Sequence, residues 1–292
     1  MLNYLKTNVL NPLGVDLPDF GKFSVRIKKR HEIFWNDINA ELVRNTPMTE
    51  DDPIEKWKDD VYWQRKLSNK FNAREFAKKH GCDVAKLLWK GADAEHIDFS
   101  ALPPQYVIRP TIGHSCSNVY VMTNGVNLFD HKYYTPAGIK DALKLETLKN
   151  PAQEFLIEEF LMNDSGAYEI LKDYKFFCFN GKIATICVIR RLSPQSGYNT
   201  FYDEHWNKMK MVNKTFGDGE DHPKPECFDD MVEQAKRLSK AYGIFVRIDF
   251  YSTYRGAVFG EFTPTPGMGN NYSRFGEELL SKYWENYCYG LV

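Results

Sequence analysis

The sequence predicts an α+β fold whose sheets are largely antiparallel, on three observations. Two β-rich runs in KFFCFNGKIATICVIRR flank Asn180-Gly181, a strong hairpin signal because that dipeptide tolerates the positive φ angles of a tight turn. A second pair, IFVRIDFYS and AVFGEFT, is joined across STYRG as another hairpin. Helical periodicity is interspersed with such runs, and no internal repeat or low-complexity segment appears.

Bulk properties narrow the function. The 292 residues are enough for one large domain or two to three smaller ones. A formal net charge of -1 gives no electrostatic support for bulk nucleic-acid binding. Aromatic residues reach 15%, which suits strand-rich cores and also the aromatic walls of a base- or sugar-binding cleft. The six cysteines include no C-x-x-C pair and the seven histidines have no metal-ligand spacing, so zinc is not expected. Reduced thiols point to the cytoplasm. The start lacks the apolar core of a secretory signal, and Ile183 to Ile189 is far short of the ~20 residues of a spanning helix.

Along the chain, Ile54 to Leu67 carries Trp57, Val61, Tyr62 and Arg65 at helical spacing and reads as a surface helix. A helix from Asn72 to His80 follows, with Asn72 as N-cap, Glu75 completing a capping box and Gly81 stopping it. YVIRP and NVYVM read as strands about the loop GHSCS, and residues 136–149 as a helix. Phe228, Met231, Val232, Ala235 and Leu238 recur at helical spacing, with acids at the start and Gly243 at the end.

The last hairpin carries the chemistry. If its turn centres on Arg255, Asp249 and Glu261 face one another, six residues to either side. Directly opposed side chains have Cβ atoms ~4.5–5.5 Å apart, and like charges there repel. Ile248, Phe250, Phe259 and Phe262 place a hydrophobic core on the other face, so two acids over a buried sheet call for a cation, and oxygen ligands suit magnesium. Arg247 shares the face of Asp249 and is placed to neutralise one acid or to grip a phosphate. A solvated hairpin face with an Arg–Asp pair is the plainer alternative. The Gly-, Pro- and Asn-rich segment TPTPGMGNNYSRFG, directly after Glu261, favours a functional loop.

DYKFFCFNGK, FVRIDFY and GEFTPTPG, in this order and spacing, resemble the ATP-grasp superfamily, and within it the TupA-like branch associated with teichuronopeptide and other cell-surface polymer synthesis. The resemblance runs from about Leu67 to Asn271. It implies a lid lobe at residues 69–156 and a core lobe with a metal site at 157–292, after an N-terminal segment at 1–68. ATP lies between the lobes, magnesium bridges its phosphates, and a carboxylate takes the γ-phosphoryl group before an amine displaces phosphate. Asp249 and Glu261 match the metal ligands. Thr263 stands where many relatives carry a third, oxygen-donating Asn.

The same resemblance assigns the nucleotide cleft. Lys70 matches its first basic residue, and Arg109 stands in place of a second, phosphate-binding lysine, bringing a planar fork. In the loop over the phosphates Gly113 is kept, while Ser115 and Ser117 replace glycines. IEEFL resembles the strand whose backbone pairs with adenine, so Glu158 or Glu159 would accept from the adenine amino group and Leu161 would pack on the ring. Lys175, with Asp173 as support, matches the basic residue between adenine and phosphates. Arg190, with Arg191 beside it, matches a position that binds phosphate or the acceptor carboxylate. Arg247, Arg190 and Lys175 are thus the expected catalytic cations. A ligase for carboxylate and amine is implied, with a phosphotransferase or a catalytically degenerate nucleotide-binding protein as alternatives. Substrate identity, oligomeric state and the acceptor loops around Asn199 and His205 are not legible.

Overall fold

The computed structural model describes residues 21–113, 116–193 and 196–290, and within them the expected hairpins assemble two six-stranded sheets. The first sheet contains β1 (Leu87–Gly91), β2 (Gln105–Pro110), β3 (Tyr120–Thr123), β4 (Val126–Asn127), β5 (Lys132–Tyr133) and β6 (Phe155–Glu159). Its order is β1-β6-β2-β3-β4-β5, and every pairing is antiparallel. The second contains β7 (Asp173–Phe179), β8 (Lys182–Ser193), β9 (Ser196–Tyr202), β10 (Gly217–Asp218), β11 (Phe245–Thr253) and β12 (Gly256–Thr263). Here the order is β10-β9-β8-β7-β11-β12, antiparallel except where β10 runs parallel to β9. The α+β class read from the sequence is the class of the molecule.

Seven helices cover these sheets among the described residues: α1 (Phe23–Trp35), α2 (Ala40–Asn45), α3 (Ile54–Trp57), α4 (Lys70–Lys79), α5 (Pro136–Lys149), α6 (Phe228–Tyr242) and α7 (Arg274–Tyr287). α5 begins as the sequence indicates, with Pro136 in its first turn and the Thr135 hydroxyl accepting from the Gly138 N–H at 3.1 Å. Its Ile139 and Leu143 pack under the first sheet against Ile108, Phe155 and Ile157. α6 carries Asp229 and Asp230 in its first turn and ends at Gly243, whose φ of +87° an L residue rarely adopts. Met231, Ala235 and Leu238 bury one face of the second sheet with Phe176, Val246 and Ile248. On the opposite face Phe23, Ile27, Leu280 and Trp284 meet Phe177, Phe179 and Phe245.

Two local expectations are corrected. Ile54 to Leu67 is not one surface helix: α3 ends at Trp57, and a 3-10 turn spans Trp63–Ser68. Trp57, Trp63, Arg65, Lys66 and Leu67 are all buried. Of the residues at helical spacing, Trp57 and Arg65 fall in these two short elements and are buried, whereas Val61 lies between them and is exposed. Nor is Asn72 a cap. α4 starts at Lys70, and Asn69 caps it by accepting from the Phe71 N–H at 3.0 Å. Asn72 is buried inside the helix, where it accepts from the Met48 N–H at 3.0 Å and donates to the Thr46 carbonyl at 2.9 Å. Ala73, Phe76 and Ala77 of α4 join the same cluster as Trp57 and Leu67. α1 is tied in by Arg30, fully buried, which donates to the Phe245 carbonyl at 2.8 Å and lies 4.4 Å over the Trp284 ring.

Candidate active site

Asp249 does pair with Glu261, but by a different route from a turn centred on Arg255. The turn is tighter, with Thr253 opposite Gly256, and that register carries Phe250 to Phe259. Gly260 is then an extra residue in β12, and this bulge sets Asp249 opposite Glu261 and Arg247 opposite Thr263. A methyl group at Gly260 would lie 3.1 Å from both the Asp249 carbonyl and the Tyr251 ring, so the close strand approach here favours glycine.

A bulge also decides which arginine reaches the site. Cys178 pairs with Ile183, yet Phe177 pairs with Thr185, so Ala184 is skipped. Beyond it Lys175 faces Cys187, and Cys187, Ile189 and Arg191 share its side of the sheet. Arg190 falls with Ile186 and Val188 on the other side and is exposed. It lines a cavity of ≈400 Å³ with Asp164, Lys172, Tyr174 and Ser252, a cavity that Arg191 also borders. Among the three expected catalytic cations, Arg247 and Lys175 therefore stand together, while Arg191 takes the place expected of Arg190.

On the shared face six charges alternate in sign. Arg191 donates to Asp173 at 2.8 Å, and Lys175 lies 3.6 Å from the other Asp173 oxygen. Lys175 donates to Asp249, which also accepts twice from Arg247, at 2.7 Å to each oxygen. Arg247 then reaches Glu261 at 3.1 Å, and the Thr263 hydroxyl donates to the same Glu261 oxygen at 3.4 Å. Burial alone would raise the Asp249 carboxyl, but Arg247 and then Lys175 outweigh it and hold the group below the ordinary carboxylate range. Burial works against the Arg247 charge too, and Asp249 with Glu261 reverses that and strengthens it. Glu261 is the more open acid, its side chain 32% exposed against 3% for Asp249.

The first sheet contributes from the opposite direction. Arg109 grips Glu158 with two guanidinium nitrogens, at 2.6 and 3.2 Å, and donates a third to the Gly260 carbonyl at 3.3 Å. Burial and then the neighbouring Arg109 charge lower the Lys70 ammonium, and Glu261 and Glu158 act in the other direction. Lys70 donates to the Gly113 carbonyl at 3.0 Å. Ser117 is exposed in the same loop, and Ser115 lies outside the described residues. The carboxylates of β6, expected to accept from the adenine amino group, are both paired with protein cations. Glu158 is buried between Arg109 and Arg74, and Glu159 accepts from the Lys86 N–H at 2.7 Å and forms an ion pair with Arg255 at 2.9 Å. Leu161 is buried.

Several residues of the site had not been singled out. Tyr251 shares the face of Asp249 by the period of two, a signal the sequence did carry. Burial raises its phenol well above the ordinary value, and the Asp173 carboxylate adds to this. Cys116, in the loop after Gly113, sits within electrostatic reach of Arg191, Asp173, Lys175 and Glu261. Arg74 and Arg255 hold Glu158 and Glu159 from α4 and the hairpin tip, and nothing in their local sequence marks them.

Arg247 lies between the facing acids and pairs with both. Among the described residues no group of three or more His, Cys, Asp or Glu side chains is arranged to hold a metal ion. Asp249, Glu261 and Thr263 are nonetheless all oxygen donors on one face. Magnesium ordinarily takes one or two protein carboxylates beside phosphate oxygens, so the donor set fits that ion in kind.

The profile of the family described as TupA-like ATPgrasp matches residues 54–282. No curated protein matches the chain. Among solved structures, the chain is similar to D-alanine–D-alanine ligase from Bacillus anthracis complexed with ATP, at 16% identity over 76% of this chain and 65% of that one, with a TM-score of 0.48. It is also similar to D-alanine–D-alanine ligase from Helicobacter pylori, at 17% identity over 78% of this chain and 59% of that one, TM-score 0.47. For D-cycloserine synthetase DcsG the values are 12%, 77%, 71% and 0.47. The chain thus spans 65% and 59% of the lengths of the two D-alanine ligases. No helix among the described residues is long and apolar enough to cross a membrane.

Proposed function

The chain belongs to the TupA-like ATP-grasp family, and on that premise we propose that it is an ATP- and magnesium-dependent ligase that joins a carboxylate to an amine through an acyl phosphate. The observation that carries this reading is the face on which Asp249, Glu261, Arg247 and Lys175 stand together, with Arg109 and Lys70 approaching from the first sheet. Such a face can hold a phosphoryl group in transfer, and burial keeps the thiol and phenol on its strands, Cys187 and Tyr251, in their protonated, weakly nucleophilic forms, so the nucleophile belongs to the substrate.

In this reading Lys70, Arg109 and the loop from Gly113 through Ser115 to Ser117 take the phosphates of ATP. The adenine lies by Leu161, its amino group falling to the backbone after β6 because Glu158 and Glu159 are engaged. Asp249, Glu261 and Thr263 would hold magnesium, which neutralises the phosphate oxygens when bound. Lys175 and Arg191 steady the γ-phosphoryl group, and Arg247 orients the acceptor carboxylate as its oxygen attacks the γ-phosphorus and ADP leaves. The amine then attacks the acyl carbon, the C–O bond to phosphate breaks, and inorganic phosphate and the amine's proton are released. The substrates fit synthesis of a cell-surface polymer or related small molecule, and six free cysteines favour work in the cytoplasm.

The test follows an oxygen atom. Pooled carboxylates and amines with ATP and magnesium identify a pair that releases ADP. The responding carboxylate, labelled with heavy oxygen, then delivers one labelled atom to inorganic phosphate for each amide formed. A phosphotransferase keeps the phosphoryl group on its product, and idle hydrolysis by water gives unlabelled phosphate. Amide formed alongside unlabelled phosphate rules out the acyl-phosphate route.

A further inference from the structure

Arg247 holds both acids of the site at once. Its Nε and Nη2 meet the two oxygens of Asp249 at 2.7 Å each, and Nη2 also meets Glu261 at 3.1 Å. We propose that Arg247 is the built-in counter-ion of the metal site, and that a divalent cation reaches Asp249 and Glu261 only as the guanidinium passes to an anionic group of a ligand. The inference rests on the ligase reading above, since it takes these carboxylates to be where magnesium binds.

The argument turns on where a displaced guanidinium can go. A buried charge stripped of its partners is strongly destabilising, because the interior offers it neither water nor a counter-charge. The neighbouring carboxylates offer no refuge. Asp173 is shared between Arg191 and Lys175, and Glu158 between Arg109 and Arg74. Lys175 also stays on Asp249, so the acid left behind keeps one cation. The new partner of Arg247 must arrive from outside, as a substrate carboxylate or a phosphate oxygen, both of which suit a planar fork. Metal and anion therefore enter together, and metal alone is held off by a cation already in place.

Binding of Mn²⁺, followed by electron paramagnetic resonance and calorimetry on the full chain without nucleotide, tests this directly. Wild type binds the ion weakly. Arg247→Met, neutral and of similar length, binds it more tightly by on the order of tenfold, a usual size of coupling between two ligands. Adding Glu261→Gln to that variant removes the gain. If Arg247→Met does not fold, Arg247→Lys carries the test, because one ammonium cannot bridge both acids, and it shifts affinity in the same direction by less. Tight Mn²⁺ binding by nucleotide-free wild type that Glu261→Gln abolishes would overturn the proposal, as would an Arg247 variant that is folded and gains nothing. The ligase reading fails separately: wild type would then bind neither a non-hydrolysable ATP analogue nor Mn²⁺ in its presence.

Discussion

Arg109 and Glu158 form a two-pronged ion pair, Nε to Oε2 at 2.6 Å and Nη2 to Oε1 at 3.2 Å, on adjacent strands of the first sheet. The fork, and not only the charge, is therefore in use. Arg109→Lys should weaken binding of a non-hydrolysable ATP analogue by on the order of 1 kcal/mol or more, as loss of a charged hydrogen bond does. Arg109→Ala should weaken it further and leave Glu158 with Arg74 alone. Titration calorimetry distinguishes the two, and an alanine variant with unchanged affinity would place Arg109 outside the nucleotide's reach.

Glu261→Gln should abolish magnesium-dependent turnover while leaving the melting temperature nearly unchanged. Arg247 loses only its contact with Glu261 and keeps both contacts to Asp249. Normal turnover in this variant would remove Glu261 from the site.

Asp249→Asn should cost stability instead, because Arg247 and Lys175 stay buried around a neutral group. The loss expected at neutral pH is about 3–5 kcal/mol. The native Asp249 carboxyl is held below its ordinary value of 3.8, so its contribution is complete above that value and is lost as pH falls through the depressed one. Denaturant melts of the two proteins should differ by a constant amount at neutral and mildly acid pH and converge in stronger acid. A gap that persists there would mean that the ion pair is not its source.

Trp57→Ala tests the corrected placement of the N-terminal turns. On a surface helix such a change costs within ~0.5 kcal/mol. Trp57 is fully buried, edge-on to Phe76 at 5.1 Å between ring centroids, so a loss of about 3–5 kcal/mol is expected from its midpoint in urea.

Hairpins and the α5 and α6 helices are legible because turn dipeptides and apolar spacing act over a few residues, and the family is legible through the resemblance of three motifs in order. Facing of Asp249 and Glu261 was legible too, though an off-centre turn and the Gly260 bulge had to compensate for each other. The assignment of Arg190, with Arg191 beside it, rests on the family resemblance, and the skipped Ala184 sets Arg191 and not Arg190 on the side of Lys175. A bulge is set by strand packing over many residues, so alternation alone does not reveal it. Burial of Trp57 and Trp63, and the engagement of Glu158 by Arg109, are contacts between distant segments that local pattern does not encode.

Two tethers land on consecutive residues of β12. The Phe259 N–H donates to the Asp83 carbonyl at 2.9 Å, ahead of β1, and the Gly260 carbonyl accepts from Arg109 on β2 at 3.3 Å. The next residue is Glu261. A rotation of the first sheet would therefore pull on the peptide that carries this carboxylate, with the bulge as fulcrum. The strand that carries the more open acid is thus held from the first sheet's side by two hydrogen bonds, both within two residues of Glu261.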